Sequence, residues 1–275
     1  MRGARAAQSS ARLDANVPSV MPKKPVMLWH LMLLFTNLFA KSDFNSALAD
    51  LCILSFWGLA RLSELTYATK SGALRYDCSV LTTEVIFSND TTLGRTAAIT
   101  IRSAKTAAPG ETQFIVVSEQ PHILCPIRAL DRRLATSGGG RTSLFGYGPL
   151  PERRHLTRRK AVARIQEVLL GNGEERLTGH SFRVGGVSFW HAIGMSAPDL
   201  QKLGRWSSRC YLLYIKTYSK ADGRRTVTLL RSLARCYAPP IMEGRRNSPV
   251  PDGERSTSGL QLADPQGRPT QSTEA

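Results

Sequence analysis

Apolar residues recur at helical spacing in the first quarter of the chain. The most apolar run, Val26–Phe39, is shorter than the roughly 18 residues that a membrane span requires, and it contains His30 and Asn37. It therefore predicts a buried helix. A second helix is predicted from Asp43, which can cap its start, to about Ala68. The residues at helical spacing within it are Leu48, Leu51, Cys52, Ser55, Phe56 and Leu59.

β-Branched residues alternate with other residues in three segments that follow, 80–87, 97–103 and 112–117. Alternation with a period of two is typical of strands that bury one face. The turn Ala107–Gly110 separates the last two segments, so they are expected to pair as a hairpin. The pattern predicts a small, three-stranded antiparallel sheet.

The rest of the chain returns to helical spacing. Helices are predicted from Pro126 to the glycines at 138–140, and at Leu156–Leu170, Thr178–Ile193, Ala197–Leu203, Cys210–Tyr218 and Arg224–Tyr237. Residues 1–21 lack periodicity and residues 238–275 are polar and rich in Pro, Gly, Ser and Gln, so both segments are expected to be disordered. The predicted fold class is mostly α (α+β), with one domain over residues 22–237 whose helices pack with the three-stranded sheet.

The chain carries a strong positive charge. It has 37 Lys and Arg residues against 21 Asp and Glu residues, which gives a formal net charge of +16. Residues 243–275 hold five acidic and four basic residues, so the positive charge belongs to the part that is predicted to fold. An excess of this size favours a polyanionic partner, of which nucleic acid is the most common. A basic enzyme or a ribosome-associated protein is the competing interpretation.

The cysteines argue against a metal or disulfide scaffold. They are scattered, odd in number and include no Cys-x-x-Cys pair: Cys52, Cys78, Cys125, Cys210 and Cys236. This pattern favours a reducing, intracellular compartment. His122 and Cys125 are too few for a metal site, and no carboxylate cluster is available to hold Mg²⁺. Neither a metal nor another cofactor is expected.

The clearest chemical pattern lies between Leu177 and Tyr218. His180 and Arg183 are three residues apart, so on a helix they share one face. A Gly-Arg-Trp triplet follows at 204–206, and the tyrosines come next: Tyr211, Tyr214 and Tyr218. Taken singly, the residues have ordinary explanations, such as a surface histidine, a salt-bridged arginine or the amphipathic packing of tyrosines. Their order along the chain is what indicates chemistry.

This region resembles the C-terminal active-site region of the tyrosine recombinase, or phage integrase, family. The family signature is His-x-x-Arg, then a His or Trp, then a nucleophilic Tyr about nine residues later. His180, Arg183 and Trp206 match it, and Tyr214 follows Trp206 by eight residues, whereas Tyr211 follows by five. The details look most similar to the recombinases of eukaryotic tyrosine-recombinase retrotransposons (DIRS-like) and related mobile elements. The resemblance identifies Tyr214 as the expected nucleophile.

Two upstream segments extend the resemblance, which spans about residues 22–236. The family's first Arg lies in a Gly-Leu-x-x-Ser-Glu-like helix, and WGLARLSEL supplies Arg61 and Glu64. The family's catalytic Lys lies in a β-hairpin, and SAKTAAPGE places Lys105 at the turn between two predicted strands. Glu64 either orients Arg61 or is an ordinary acid on the helix surface.

The resemblance implies a DNA strand breakage and rejoining enzyme. Tyr214 is expected to form a covalent 3′-phosphotyrosyl bond that conserves the phosphodiester energy. Lys105 is expected to act as general acid to the leaving 5′-oxygen. The family needs no metal.

The remaining residues are expected to neutralise charge. Arg61 and Arg183 would clamp the phosphate, because a guanidinium binds it bidentately. His180 and the indole N–H of Trp206 would add donors to the developing negative charge. The implied catalytic set is Arg61, Lys105, His180, Arg183, Trp206 and Tyr214, with Glu64 as orienting residue.

Double-stranded DNA is the expected partner, with self-assembly on it as a dimer or tetramer. The helix Arg224–Tyr237 is expected to dock either on a neighbouring protomer or on its own domain. The basic run at 153–160 is either a nuclear localisation patch or a phosphate-contacting helix start. A nuclear or otherwise intracellular location is expected, without membrane association.

Other interpretations stay open. The family has an N-terminal helical DNA-binding domain, whereas about 20 residues precede the predicted catalytic domain, so the chain is either a fragment or a shortened descendant of a mobile element. The competing function is a non-catalytic DNA-binding protein derived from a recombinase domain. A basic helical structural protein would explain the charge but not the ordered motif.

Overall fold

A buried helix and the helix that precedes it form the helical core of the fold. The computed structural model describes residues 24–102, 104 and 110–236. Helix α1 spans Leu28–Leu38 and helix α2 spans Asp43–Trp57. The Ser42 hydroxyl accepts a hydrogen bond from the backbone N–H of Asn45, so Ser42, and not Asp43, caps α2. From Ala47 to its end, every residue of α2 is buried.

The other elements surround this pair. The helices are α3 (Leu62–Leu65), α4 (Pro126–Ala135), α5 (Arg158–Gly171), α6 (Ser181–Ala192), α7 (Ala197–Leu203) and α8 (Lys220–Arg235). The strands are β1 (Val85–Asp90), β2 (Gly94–Ile101), β3 (Gln113–Ser118), β4 (Gly146–Tyr147) and β5 (Arg154–His155), and 3₁₀ turns occupy Thr82–Glu84 and Arg209–Leu213. Helices are the main regular structure, with about 47% of the chain helical, and a small three-stranded antiparallel sheet accompanies them, which confirms the fold class expected from the sequence.

Helix α2 ends well before the predicted end near Ala68. Its C-cap is Gly58, and a Cβ on that residue would lie 2.4 Å from Cγ2 of Ile115 on β3. Leu59 then takes a left-handed φ of 48°. The chain therefore leaves the helix where the sheet approaches most closely, and this break delivers Arg61 to the start of α3.

The sheet has the order β1-β2-β3, with antiparallel pairing throughout. Ile99 lies opposite Val85 on one side and Ile115 on the other, and both isoleucines are fully buried. The predicted first strand, 80–87, is partly wrong because Thr82–Glu84 forms a 3₁₀ turn. The sequence also did not predict the two-stranded sheet of β4 and β5.

The predicted helix Cys210–Tyr218 is wrong. The segment forms only a 3₁₀ turn, Arg209–Leu213, whose C-cap is Tyr214. Leu212 and Leu213 are 53% and 78% exposed, so the segment has no continuous buried stripe to hold an α-helix against the core.

Helix α8 begins at Lys220 rather than at the predicted Arg224. It packs on α1, where the Arg225 guanidinium lies 4.3 Å from the centroid of the Trp29 ring. Leu233 is buried in the main core. The sequence left open whether this helix docks on a neighbouring protomer or on its own domain. In the single chain, α8 packs on its own domain.

Within the described ranges, no helix combines the length and the apolar character needed to cross a bilayer. In the same part of the chain, no group of three or more His, Cys, Asp and Glu side chains is placed to hold a metal ion. All five cysteines are free thiols, and Cys52 and Cys125 are buried.

Candidate active site

Glu64 lies at the centre of a buried ionic cluster. Its carboxylate accepts hydrogen bonds from Nη1 of Arg61 at 2.6 Å and from the Arg61 backbone N–H at 2.9 Å. Nη2 of Arg205 donates to the same carboxylate at 2.7 Å. Arg61 is the N-cap of α3, so the first turn of this helix folds the Glu64 side chain back onto it. The structure thus places Glu64 in the interior and against Arg61, not on the helix surface.

The cluster keeps Glu64 ionised. Burial acts to raise the pKa of Glu64, but Arg205 and Arg61 outweigh it and hold the pKa below its usual value. Arg183 contributes to the same lowering and therefore lies within electrostatic reach. Three guanidiniums surround one carboxylate, so the site carries an uncompensated positive charge.

Arg183, on α6, is fully buried. Nη1 donates to the Leu59 carbonyl at 2.6 Å, and Nη2 donates to the Gly204 carbonyl at 2.5 Å. The guanidinium carbon lies 4.2 Å from the centroid of the Trp206 ring, a cation–π contact. Burial and the repulsion of Arg61 and Arg205 lower the pKa of Arg183 to about 9. In this conformation Arg183 joins the break after α2 to the turn after α7.

Two glycines bring α6 to this position. A Cβ on Gly185 would lie 1.8 Å from the carbonyl oxygen of Val26, and a Cβ on Gly186 would lie 2.1 Å from that of Phe56. The backbone N–H of Val26 also donates to the Ser181 carbonyl at 2.9 Å. The backbone of α6 therefore packs directly against the backbone at Val26 and Phe56. This close approach fixes the position of the Arg183 side chain.

Tyr214 lies between the predicted histidine and the predicted tryptophan. Its ring centroid is 4.9 Å from that of His180, at the N-cap of α6, and 5.7 Å from that of Trp206. The Tyr214 side chain is partly exposed. Its backbone is fixed by an N–H bond to the Tyr211 carbonyl at 2.9 Å. This places one phenol beside the two residues that the sequence pairs with it.

The other two tyrosines occupy different environments. Tyr211 is 4% exposed and packs on Trp206 with ring centroids 5.8 Å apart. Tyr218 packs against the main core, and its hydroxyl is buried with no hydrogen-bond partner among the described residues. Burial raises the pKa of Tyr218 well above its usual value. The Tyr211 side chain and the Tyr218 hydroxyl are therefore buried, whereas Tyr214 is partly exposed beside His180.

Lys105 lies outside the described residues. It falls in the connection between β2, which ends at Ile101, and β3, which begins at Gln113. The sequence therefore places it in a hairpin connection, as expected, and its role remains a prediction.

Arg205 is the residue of this site that the sequence reasoning missed. In the sequence it stands only as the middle residue of the Gly-Arg-Trp triplet. Its side chain is 7% exposed, and its backbone has a left-handed φ of 58°, which is unusual for a residue with a side chain. Its position directly before the predicted site residue Trp206 was the one feature that indicated a role in the site. An arginine in a turn is usually solvated, however, so the sequence did not predict its burial.

The site combines a cationic cluster that can bind an anion with the phenol of Tyr214. Arg61, whose side chain is 17% exposed, and the positive charge behind it can attract a phosphate. Tyr214 and His180 line the other side with a hydroxyl and an imidazole. A nucleophile beside a preorganised cationic cluster is what displacement at phosphorus requires.

The comparisons return structures of one kind at low identity. No protein-family model and no curated protein matches the chain. A Flpe–Holliday junction complex is 13% identical over 81% of this chain and 52% of its own, with a TM-score of 0.45. XerA recombinase is 13% identical over 80% of this chain and 68% of its own, with a TM-score of 0.47. The Tn1549 transposon integrase with circular intermediate DNA is 14% identical over 81% of this chain and 75% of its own, with a TM-score of 0.44.

This chain spans 52% to 59% of the length of the Flp-type recombinases that it resembles. The functional argument below therefore depends on the residues of the site.

Proposed function

We propose that this chain is the catalytic domain of a tyrosine-type site-specific DNA recombinase or integrase, with Tyr214 as its nucleophile. The observation that carries the proposal is the placement of Tyr214 between His180 and Trp206, with ring centroids at 4.9 and 5.7 Å. Trp206 in turn packs on Arg183, which lies within electrostatic reach of Arg61 and Glu64. Residues that the family resemblance names, from four separate segments of the chain, thus lie close together, which supports the proposal.

The proposed step is a transesterification. The Tyr214 hydroxyl oxygen attacks phosphorus, and the P–O bond to tyrosine forms as the bond to the 5′-oxygen breaks. The phenol gives its proton to solvent water, and the leaving 5′-oxygen takes a proton from Lys105, which regains one from water after the step. The strand then carries a 3′-phosphotyrosyl linkage and a free 5′-hydroxyl. Attack by a 5′-hydroxyl of a second strand reverses the step and restores the tyrosine.

Arg61 and Arg183 have different roles in binding the phosphate. Arg61 is the more exposed guanidinium, and Glu64 fixes its orientation through two hydrogen bonds, so it makes the first contact. Arg183 donates hydrogen bonds to the Leu59 and Gly204 carbonyls. In this conformation it acts on the phosphate only through the electrostatic field of its buried charge. Because Arg183 is fully buried, a direct contact to the phosphate requires a rearrangement of the break after α2 or of the turn after α7, which cover it. This requirement couples the packing around Arg183 to substrate binding.

His180 and Trp206 complete the proposed site. His180 is a donor to the non-bridging oxygens on the side of Tyr214. The indole N–H of Trp206 is buried and has no partner among the described residues, so it is available to a phosphate oxygen once the turn opens. Both would stabilise charge that develops during displacement.

The wider proposal follows from the same chemistry. The ligand is double-stranded DNA, on which the protein assembles as a dimer or tetramer and to which its net charge of +16 contributes affinity. A role in a mobile element of the eukaryotic DIRS-like kind, and a nuclear or otherwise intracellular location, are part of this proposal.

A covalent trapping experiment tests it. The protein is incubated with nicked duplexes that carry the candidate site from the ends of the encoding element, so that the short fragment downstream of the break, released with a 5′-hydroxyl, diffuses away. On a denaturing gel, a protein–DNA species retaining the strand upstream of the break, with a free 5′-hydroxyl on the released strand, is the expected result. Salt-sensitive DNA binding without any covalent species on the cognate site would replace the proposal with a non-catalytic DNA-binding function.

A further inference from the structure

A second basic region lies away from the ionic cluster of Glu64. An open cavity of about 900 Å³ is bordered by the segments 70–76 and 141–155. Lys70, Arg141 and Arg154 are exposed on its rim, whereas Arg153 is 5% exposed in its wall. Tyr76 also lines it, and we name this cavity the Tyr76 cleft.

The charge of the Tyr76 cleft is not neutralised. Its lining holds four cationic side chains and one acidic side chain, Glu152. Within the described part of the chain, none of these five side chains forms an ion pair. Like charges held in a concave surface concentrate the positive potential there, and such a surface attracts an anion.

Tyr76 holds its neighbours in a fixed arrangement. It is 51% exposed, and the guanidinium carbons of Arg102 and Arg141 lie 4.1 and 4.9 Å from the centroid of its ring. Arg102 also forms an ion pair with Glu84 at 2.7 Å. Arg141 has no carboxylate partner in the described residues, so stacking positions it while its N–H groups stay available. A stacked guanidinium of this kind binds a phosphate with little loss of side-chain entropy.

The wall of the cleft is rigid. His155 lies between the Ser143 hydroxyl, at 2.9 Å, and the Gly72 carbonyl, at 3.1 Å. Nη1 of Arg153 donates to the Thr136 carbonyl at 2.8 Å. The bond to Gly72, with a backbone bond from the His155 N–H to the Lys70 carbonyl at 2.8 Å, ties together the two segments that border the cavity, so it is formed before a ligand arrives.

The cleft continues towards the candidate active site. A neighbouring cavity of about 380 Å³ is lined by Glu64, Arg75 and Arg158, and it shares Leu74 with the Tyr76 cleft. Arg102, which stacks on Tyr76, lines this second cavity as well. The two cavities therefore adjoin, and the second reaches Glu64, whose carboxylate holds Arg61 through two hydrogen bonds.

We propose that the Tyr76 cleft binds backbone phosphates of the DNA that flanks the cleaved phosphate. The inference rests on the proposed function, because the shared path to Glu64 is what favours DNA over an acidic protein as the ligand. Arg141 and Arg154 make the principal contacts, since both are exposed and neither is held by a carboxylate in the described residues. The cleft adds affinity and extends the length of duplex that the protein covers.

The test compares two duplexes of mixed sequence, one of about one helical turn and one of about three turns. Binding of the full chain is measured over a range of salt concentrations. The variant carries Arg141→Gln and Arg154→Gln, and the matched control carries Arg231→Gln and Arg235→Gln on the exposed side of α8. Each lost phosphate contact lowers affinity about eightfold at 0.1 M salt and flattens the plot of log affinity against log salt by about 0.9.

The expected result is a slope that is flatter by about 2 for the cleft variant on the long duplex, with little change on the short one. An unchanged slope, or an equal loss in the α8 control, overturns the inference. Tighter binding of a polyglutamate peptide than of DNA, abolished in the cleft variant, overturns it too and assigns the cleft to an acidic protein. Covalent trapping is scored separately: a flatter slope without a covalent species supports the cleft while the proposed catalysis fails.

Discussion

Nη2 of Arg205 lies 2.7 Å from the Glu64 carboxylate that also holds Arg61, although the two residues are 141 positions apart in the chain. Both side chains are almost fully buried, at 7% and 3% exposure. The turn after α7 and the first turn of α3 are therefore joined through one carboxylate. The orientation of Arg61 depends on a residue that the sequence motif does not include.

Replacing Arg205 by Gln should destabilise the protein by roughly 2 kcal/mol, because it leaves Glu64 buried with one cation instead of two. The loss is smaller than for an isolated pair, since the change also relieves repulsion with Arg61 and Arg183. A double-mutant cycle with Glu64→Gln, measured by urea unfolding, should give a favourable coupling of about 2 kcal/mol.

The exposed pair of Arg75 and Asp77 is the matched control for this cycle. Its ions are solvated and screened, so Arg75→Gln and Asp77→Asn should show no measurable coupling. Additive effects of Arg205→Gln and Glu64→Gln would contradict the structural role assigned to their pair.

Gly185→Ala should destabilise the protein by about 3 kcal/mol and disturb the site. The new Cβ would lie 1.8 Å from the Val26 carbonyl oxygen, so α6 must move away and carry Arg183 with it. Gly223→Ala is the control, because a Cβ there meets nothing within 4 Å. In the interior of α8 it should stabilise by about 0.5–1 kcal/mol. Equal effects of the two substitutions in thermal unfolding would show that α6 does not pack as described.

The sequence predicted the elements whose burial follows a regular period. The run at Val26–Phe39 and the alternation at 112–117 correspond to α1 and β3, because each buries one stripe or face against the core. The end of α2 at Trp57 did not follow from local pattern. It depends on the approach of Ile115 to Gly58, and that contact joins residues far apart in the chain.

The family resemblance named His180, Arg183, Trp206 and Tyr214 as members of one site, and these side chains lie close together in the structure, while their catalytic roles remain a prediction. The resemblance did not indicate that Arg183 would be fully buried, with two backbone carbonyls as partners. Arg205 was missed because its burial depends on the positive φ of its turn and on a carboxylate in a distant segment.

His122 should make the protein acid-sensitive. It is 3% exposed, and neither ring nitrogen has a hydrogen-bond partner in the described residues. Burial, with a smaller contribution from Arg128, lowers the pKa of His122 to about 4, against 6.5 in the unfolded chain. The unfolded state therefore binds more protons between these values, and stability falls as the pH drops from about 6.5 to 4.

His122→Phe should remove this part of the pH dependence, up to about 3 kcal/mol between pH 7 and pH 4. A phenyl ring keeps the contact with Trp57, whose ring centroid is 5.6 Å from that of His122. His191→Phe, at an exposed position of α6, should leave the pH profile unchanged. Urea unfolding across this pH range measures both, and identical profiles for His122→Phe and the unmodified protein would contradict the prediction.

The most direct test of the central claim is covalent trapping with single tyrosine variants on a nicked cognate duplex. Tyr214→Phe removes one oxygen from a partly exposed ring between His180 and Trp206, so folding and DNA binding should persist. The covalent species on a denaturing gel should disappear in this variant and remain in Tyr211→Phe and Tyr218→Phe. Persistence of the species in Tyr214→Phe, or its loss only in Tyr211→Phe or Tyr218→Phe, would contradict the account.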